Sequence, residues 1–166
     1  MINWFGEVTA IDSLCHLLII NKLQSANISI SNPYNQNSSI DLLISREKPT
    51  KCKVEFINNS HFISIDCNIE ARVQTVSGNS TSLDNFNIET IEKEINLYLK
   101  NKLYDYLYKT SLEFNSDCCG FGKYAITNFL LAKDWNNYNW MNNYRNSIFK
   151  VNVNSSLKSG LLLTQD

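Results

Sequence analysis

KCKVEFINNSHFISIDCNIEARV, residues 51–73, decides the fold class. Two runs in it alternate with period 2. In the first, Cys52, Val54 and Phe56 share one face. In the second, Ile63, Ile65, Cys67, Ile69, Ala71 and Val73 share one face, and Ser64, Asp66, Asn68, Glu70 and Arg72 share the other. Alternation of this kind marks strands buried on one side of a sheet and wet on the other. The polar link Asn58-Asn59-Ser60-His61 joins them as a hairpin. Pairing Phe56 with Ile63 sets Val54 against Ile65 and Cys52 against Cys67. A slip by one residue would bury the polar set instead.

On the N-terminal side, residues 40–45 also read as a strand, with Pro49 as a bend or an edge position. Ile28 and Ile30 alternate with serines and suggest a short first strand before the break at Asn32-Pro33. Residues 7–22 read as a helix, because Val8, Ile11, Leu14, Cys15 and Leu18 recur at helical spacing.

On the C-terminal side, residues 77–85 form a polar loop, and a long helix follows. Asn87 can cap it, and Glu89, Glu92 and Glu94 suit its positive N-terminal end. Ile88, Ile91, Ile95, Leu99, Leu103 and Leu107 form its buried stripe, with Tyr98 and Tyr106 beside it. It runs to about Phe114, roughly 40 Å at 1.5 Å per residue. Then come Asp117-Cys118-Cys119-Gly120-Phe121-Gly122 and an apolar stretch through Ala125, Ile126, Phe129 and Leu130. A short helix over residues 134–144 carries Trp135, Tyr138 and Trp140, and a last strand holds Val151 and Val153. The expected fold is α+β: a four-stranded, largely antiparallel sheet with one long helix and shorter helices packed on it. The chain's 166 residues fit one domain, taken as 1–166.

Composition excludes several function classes. Hydrophobic residues make up 43% and the net charge is −1, so no electrostatic pull toward nucleic acid or acidic lipid is expected. The strongest apolar run, Leu17-Leu18-Ile19-Ile20, is far short of the about 20 residues that span a bilayer. Met1-Ile2-Asn3-Trp4 lacks the basic start and apolar core of an export signal. The chain is then either cytoplasmic or a piece of a longer exported protein.

No reactive constellation stands out. The five cysteines, Cys15, Cys52, Cys67, Cys118 and Cys119, lack the paired spacing of a zinc site, and no metal or cofactor is expected. Cys118-Cys119 is not a Cys-x-x-Cys redox motif and reads as packing. Cys52 and Cys67, as strand neighbours, are a candidate disulfide, with free core thiols as the alternative. Gly120-Phe121-Gly122 lacks the third glycine of a dinucleotide motif and the Gly-Lys-Ser/Thr of a P-loop. Two glycines there let the backbone turn, and Phe121 plugs the core between them. His16 lies on the first helix and His61 in the hairpin link, and nothing places a serine or cysteine with either one. Trp135 and Trp140, five apart, fall on different sides of a helix, so one can be core and the other exposed.

A long helix, then Asp117, Gly120-Phe121-Gly122, Trp135, Trp140, the strand Phe149-Lys150-Val151-Asn152-Val153 and finally Gly160 together resemble the C-terminal domain of the Ger(x)C family, the C subunits of spore germinant receptors. Trp4-Phe5-Gly6-Glu7 and the following helix resemble the segment leading into that domain. Two positions depart from the family pattern: Cys118-Cys119 follows Asp117 where an apolar residue and Phe are usual, and Asp134 stands where a proline often precedes the first tryptophan. The resemblance implies the C-terminal domain of a longer lipoprotein, on the outer face of the inner spore membrane. It implies membrane-embedded A and B subunits as partners, a lipid anchor absent from this chain, and no catalysis. The shared positions are then structural. A small-ligand-binding extracytoplasmic domain, with a pocket lined by Phe121, Tyr124, Trp135 or Trp140, is the alternative. A hydrolase would need His16 or His61 beside a carboxylate and a nucleophile.

Overall fold

The computed structural model describes residues 8–35, 37–57, 60–77 and 87–158. Trp4-Phe5-Gly6-Glu7, most of the polar loop before the long helix, Asn58-Asn59 and Gly160 lie outside them. The elements run α1 (Ala10–Ile19), β1 (Ser25–Ser31), β2 (Ser39–Ile57), β3 (Ser60–Val76), α2 (Ile88–Tyr108), α3 (Gly122–Ala125), α4 (Ala132–Tyr138), α5 (Trp140–Asn143) and β4 (Ile148–Lys158). The sheet order is β1-β2-β3-β4. The first two pairings are antiparallel and β3–β4 is parallel, because the chain crosses back over the sheet through α2 before β4 begins.

β2 and β3 form the spine. Segments 40–45 and 52–56 belong to one strand, and Pro49 sits at an irregularity between Lys48 and Lys51, where the ladder has lost its regular pairing. A proline, which cannot donate, is tolerated at such a site. The hairpin register differs from the expected one. Ile57 pairs with Ser60, so the loop has two residues rather than four, and Val54 faces Ile63 while Cys52 faces Ile65. A shift of two keeps every apolar side chain on its face, so alternation cannot separate the two registers; loop length decides.

That shift removes the basis for a Cys52–Cys67 disulfide. Cys67 lies opposite the Pro49 irregularity, where the Thr50 hydroxyl approaches its sulfur at 3.8 Å and donates to the Leu18 carbonyl at 2.8 Å. All five cysteines are free thiols.

The helices lie on the apolar face. Ile91, Ile95, Leu99, Leu103, Tyr106 and Leu107 of α2 are buried against it. The Asn87 side chain accepts from the Glu89 amide and caps the helix. α2 also guards the edge strand β4. Tyr104 Oη accepts from the Val151 amide, Asn96 Oδ1 from the Ser155 amide and Glu92 Oε1 from the Leu157 amide. Those groups would otherwise invite a further strand. The helix continues in a π-helical turn, Lys109–Glu113, and closes at Asn115, whose φ is 45°.

Candidate functional site

The Asp117 to Trp140 stretch is built around one carboxylate. Asp117 Oδ1 accepts from the Phe121 amide at 2.8 Å. Its Oδ2 accepts from the Gly122 amide at 2.7 Å and from the indole Nε1 of Trp140 at 2.9 Å. One side chain thereby ties the turn to a tryptophan 23 residues away. Charge-assisted bonds of this length are stronger than neutral ones.

The two glycines are needed for different reasons. Gly120 has φ +72°, the left-handed region that side chains with a Cβ disfavour. A Cβ on Gly122 would lie 3.0 Å from both Cδ1 and Nε1 of Trp140, so the indole can reach Asp117 only over a bare backbone. Phe121 between them is fully buried and stacks on Tyr144, with ring centroids 6.3 Å apart. Tyr144 is itself fully buried, and its hydroxyl meets Thr110 Oγ1 at 2.9 Å. The motif is thus bolted to the π-helical turn of the long helix.

The short helix expected over 134–144 is two pieces. Asn139, at φ 51°, interrupts it between α4 and α5. The interruption rotates Trp140 back toward Trp135, and the two indoles stack at 6.0 Å with an interplanar angle of 26°. They therefore share a side. Trp140 is buried and Trp135 half-buried.

Both histidines have acquired hydroxyl or thiol neighbours that spacing concealed. His61 is 2% exposed and lies on β3 opposite Phe56, not in the loop. Its Nε2 is 2.7 Å from Ser147 Oγ, and its Nδ1 is 2.9 Å from the Tyr138 hydroxyl. Ser147 Oγ donates to the Tyr144 carbonyl at 2.6 Å, so it accepts from an Nε2–H, and Nδ1 accepts the Tyr138 proton. Burial lowers the His61 pKa, against a smaller opposing effect from the Tyr144 carbonyl, which fits this neutral tautomer. The serine proton is committed to a backbone oxygen, and no carboxylate orients the ring. The ring ties β3 to the end of α4 and to the turn just before β4. Extending the Ile63–Val73 alternation one step back puts His61 on the buried face, which is the signal sequence reasoning passed over.

His16 Nδ1 lies 2.9 Å from the Tyr106 hydroxyl, and Cys119 Sγ lies 3.7 Å from that hydroxyl and 3.9 Å from Nδ1. Burial pushes the Cys119 thiol up to about 12, so it stays protonated and unreactive near neutrality. Among the described residues no three His, Cys, Asp or Glu side chains gather as a metal site, and no helix is long and apolar enough to cross a membrane.

Beside the carboxylate lies an open hollow of about 480 Å³ lined by Asp117, Gly120, Gly122, Lys123, Trp135, Asn136, Asn139, Trp140 and Met141. It is not enclosed. Phe121, expected as pocket lining, is in the core beneath it.

The fold is α+β, and in it Asp117, Phe121, Gly122 and Trp140 are joined by hydrogen bonds and close packing. The chain matches the family described as spore germination B3/GerAC-like, C-terminal, over residues 3–160. It belongs to that family. The crystal structure of the GerBC protein is similar in fold, with a TM-score of 0.71 at 14% identity, covering 92% of this chain and 47% of that one. The chain therefore spans about half the length of that relative. No curated protein sequence matches it significantly.

Proposed function

We propose that this domain is a non-enzymatic interaction module of a spore germinant receptor C subunit. It supports assembly with the membrane-embedded A and B subunits and the nutrient-triggered start of germination. The full-length protein is a lipoprotein on the outer face of the inner spore membrane, and this region is its C-terminal domain. The observation that carries the reading is the Asp117 lock. The residues that characterise the family segment are spent on internal hydrogen bonds and close packing, which leaves them no chemistry to perform. The His61 ring, with both nitrogens bonded to hydroxyl groups, supports the same reading. A ligand-binding domain is the weaker reading, because the hollow at Trp135 and Trp140 is open and small-molecule sites enclose most of their ligand. The test is deletion of this domain from the full-length protein with its lipid anchor kept. Loss of receptor assembly and of nutrient response is expected; normal germination together with normal assembly would sink the proposal.

A further inference from the structure

The two edges of the sheet are finished differently. β4 is closed by α2, whose Tyr104, Asn96 and Glu92 side chains accept from the Val151, Ser155 and Leu157 amides. The part of β2 that runs beyond β1 is also met. Asn21 accepts from the Thr50 amide at 2.6 Å and donates to the Thr50 carbonyl at 3.1 Å, and Asn128 Nδ2 donates to the Val54 carbonyl at 3.1 Å. β1 has no such cover. Among the described residues, the backbone of Ser25–Ser31 bonds only into its ladder with β2. Ser25, Asn27, Ser29 and Ser31 are exposed. A strand paired on one side keeps a second row of amides and carbonyls on the other, so the outer row of β1 is open.

Open edges are normally blunted by a lysine, a proline, a bulge or an inward charge. β1 has none of these, and its register with β2 runs unbroken from Ser25↔Ser45 to Ser31↔Ser39. Residues 23–40 contain no charged side chain, in a chain where 19% of residues are charged. That matters most for pairing with an identical strand, because antiparallel two-fold pairing brings like charges together. A strand of another protein would be selected by opposite charge, and this edge offers none.

The alternation also suits self-pairing. A two-fold axis through Ile28 sets Ile28 against its own copy, Ala26 against Ile30 and Asn27 against Ser29. The buried face that carries Ile28 and Ile30 then continues from one copy to the next, and the polar face does the same. We infer that β1 is a dimerisation edge: two copies join β1 to β1, antiparallel, and their four-stranded sheets become one. Assembly stops at two copies, because the far edge of each sheet is already closed by α2. One strand pair buries less than the about 800 Å² per partner of a standard interface, so the dimer is weak and depends on concentration. The inference rests on this edge and does not depend on the receptor reading.

Sedimentation velocity of the 166-residue chain over a concentration series tests it. The mass should rise from that of a monomer to twice that value and no further. Asn27→Lys/Ser29→Lys should weaken the dimer by about tenfold or more, and Asn27→Glu/Ser29→Glu should do the same. At low concentration both variants should unfold at the wild-type temperature, since both side chains are exposed. An equimolar mixture of the two variants should regain association, which a folding defect would not allow. A wild-type chain that stays monomeric throughout the series overturns the inference and leaves the edge to a strand of another protein. Lysine variants that dimerise like wild type overturn it, as do a mixture that stays monomeric and a wild type that grows past two copies.

Discussion

The β2–β3 hairpin and the segment from Asp117 to Trp140 hold their shapes by opposite means. The hairpin rests on many equivalent apolar contacts. Ile63, Ile65, Cys67, Ile69 and Ala71 are all fully buried, and each adds one share to a common core. The segment rests on a few directional contacts that are not interchangeable. One carboxylate serves three donors, one glycine supplies a positive φ, and another supplies space for an indole. Redundant burial tolerates small changes, whereas a lock of this kind loses several contacts when one part is altered.

Substitutions in the two regions put that contrast to the test. Phe121→Ala should cost most, about 3–5 kcal/mol, because a fully buried ring stacked on Tyr144 leaves a cavity; denaturant unfolding measures it. Asp117→Asn should cost about 1–3 kcal/mol, since an amide nitrogen would face donors now served by carboxylate oxygens. Its companion readout is tryptophan emission, which should shift as Trp140 loses its acceptor. Gly122→Ala should cost about 1–3 kcal/mol by forcing the Trp140 ring away. A double-mutant cycle with Asp117→Asn should be strongly non-additive, because both break the same indole contact. Ile69→Val in the hairpin should cost only about 0.5–1.5 kcal/mol. If Ile69→Val proved as damaging as Asp117→Asn, the distinction between the two regions would fall.

The smallest expected effect is pH-dependent. Burial holds the His61 pKa below its ordinary 6.5, so the unfolded chain takes up a proton before the folded one does. Stability from neutral His61 is then complete above pH 6.5 and declines as pH falls through that value toward the folded pKa. Unfolding midpoints between pH 5 and 8 should follow this trend. His61→Gln should flatten it, and an unchanged slope in that variant would assign the titration elsewhere.

The two regions also differed in legibility. The hairpin's faces were readable because a strand's side-chain period is 2, and the long helix was readable from its stripe and from Asn87. The pairing of Cys52 with Cys67 was misjudged, since registers two residues apart bury the same side chains. In the site, Asp117, Gly120, Gly122 and Trp140 were recognisable as a pattern, but their bonds to one another were not. His61 and Ser147, 86 residues apart, could be joined only by the parallel pairing of β3 and β4.

The α+β class, the buried faces, the Asn87 cap and the family were thus legible in one dimension, because each is set by local period or residue order. The hairpin register, the break at Asn139 that stacks Trp135 on Trp140, and the outward leucines at 130 and 131 depend on contacts between distant segments. In one dimension Ala125, Ile126, Phe129 and Leu130 are an apolar stretch with no face assigned. Phe129 turns inward to meet the Phe56, Trp135 and Tyr138 rings, while Leu130 and Leu131 face outward.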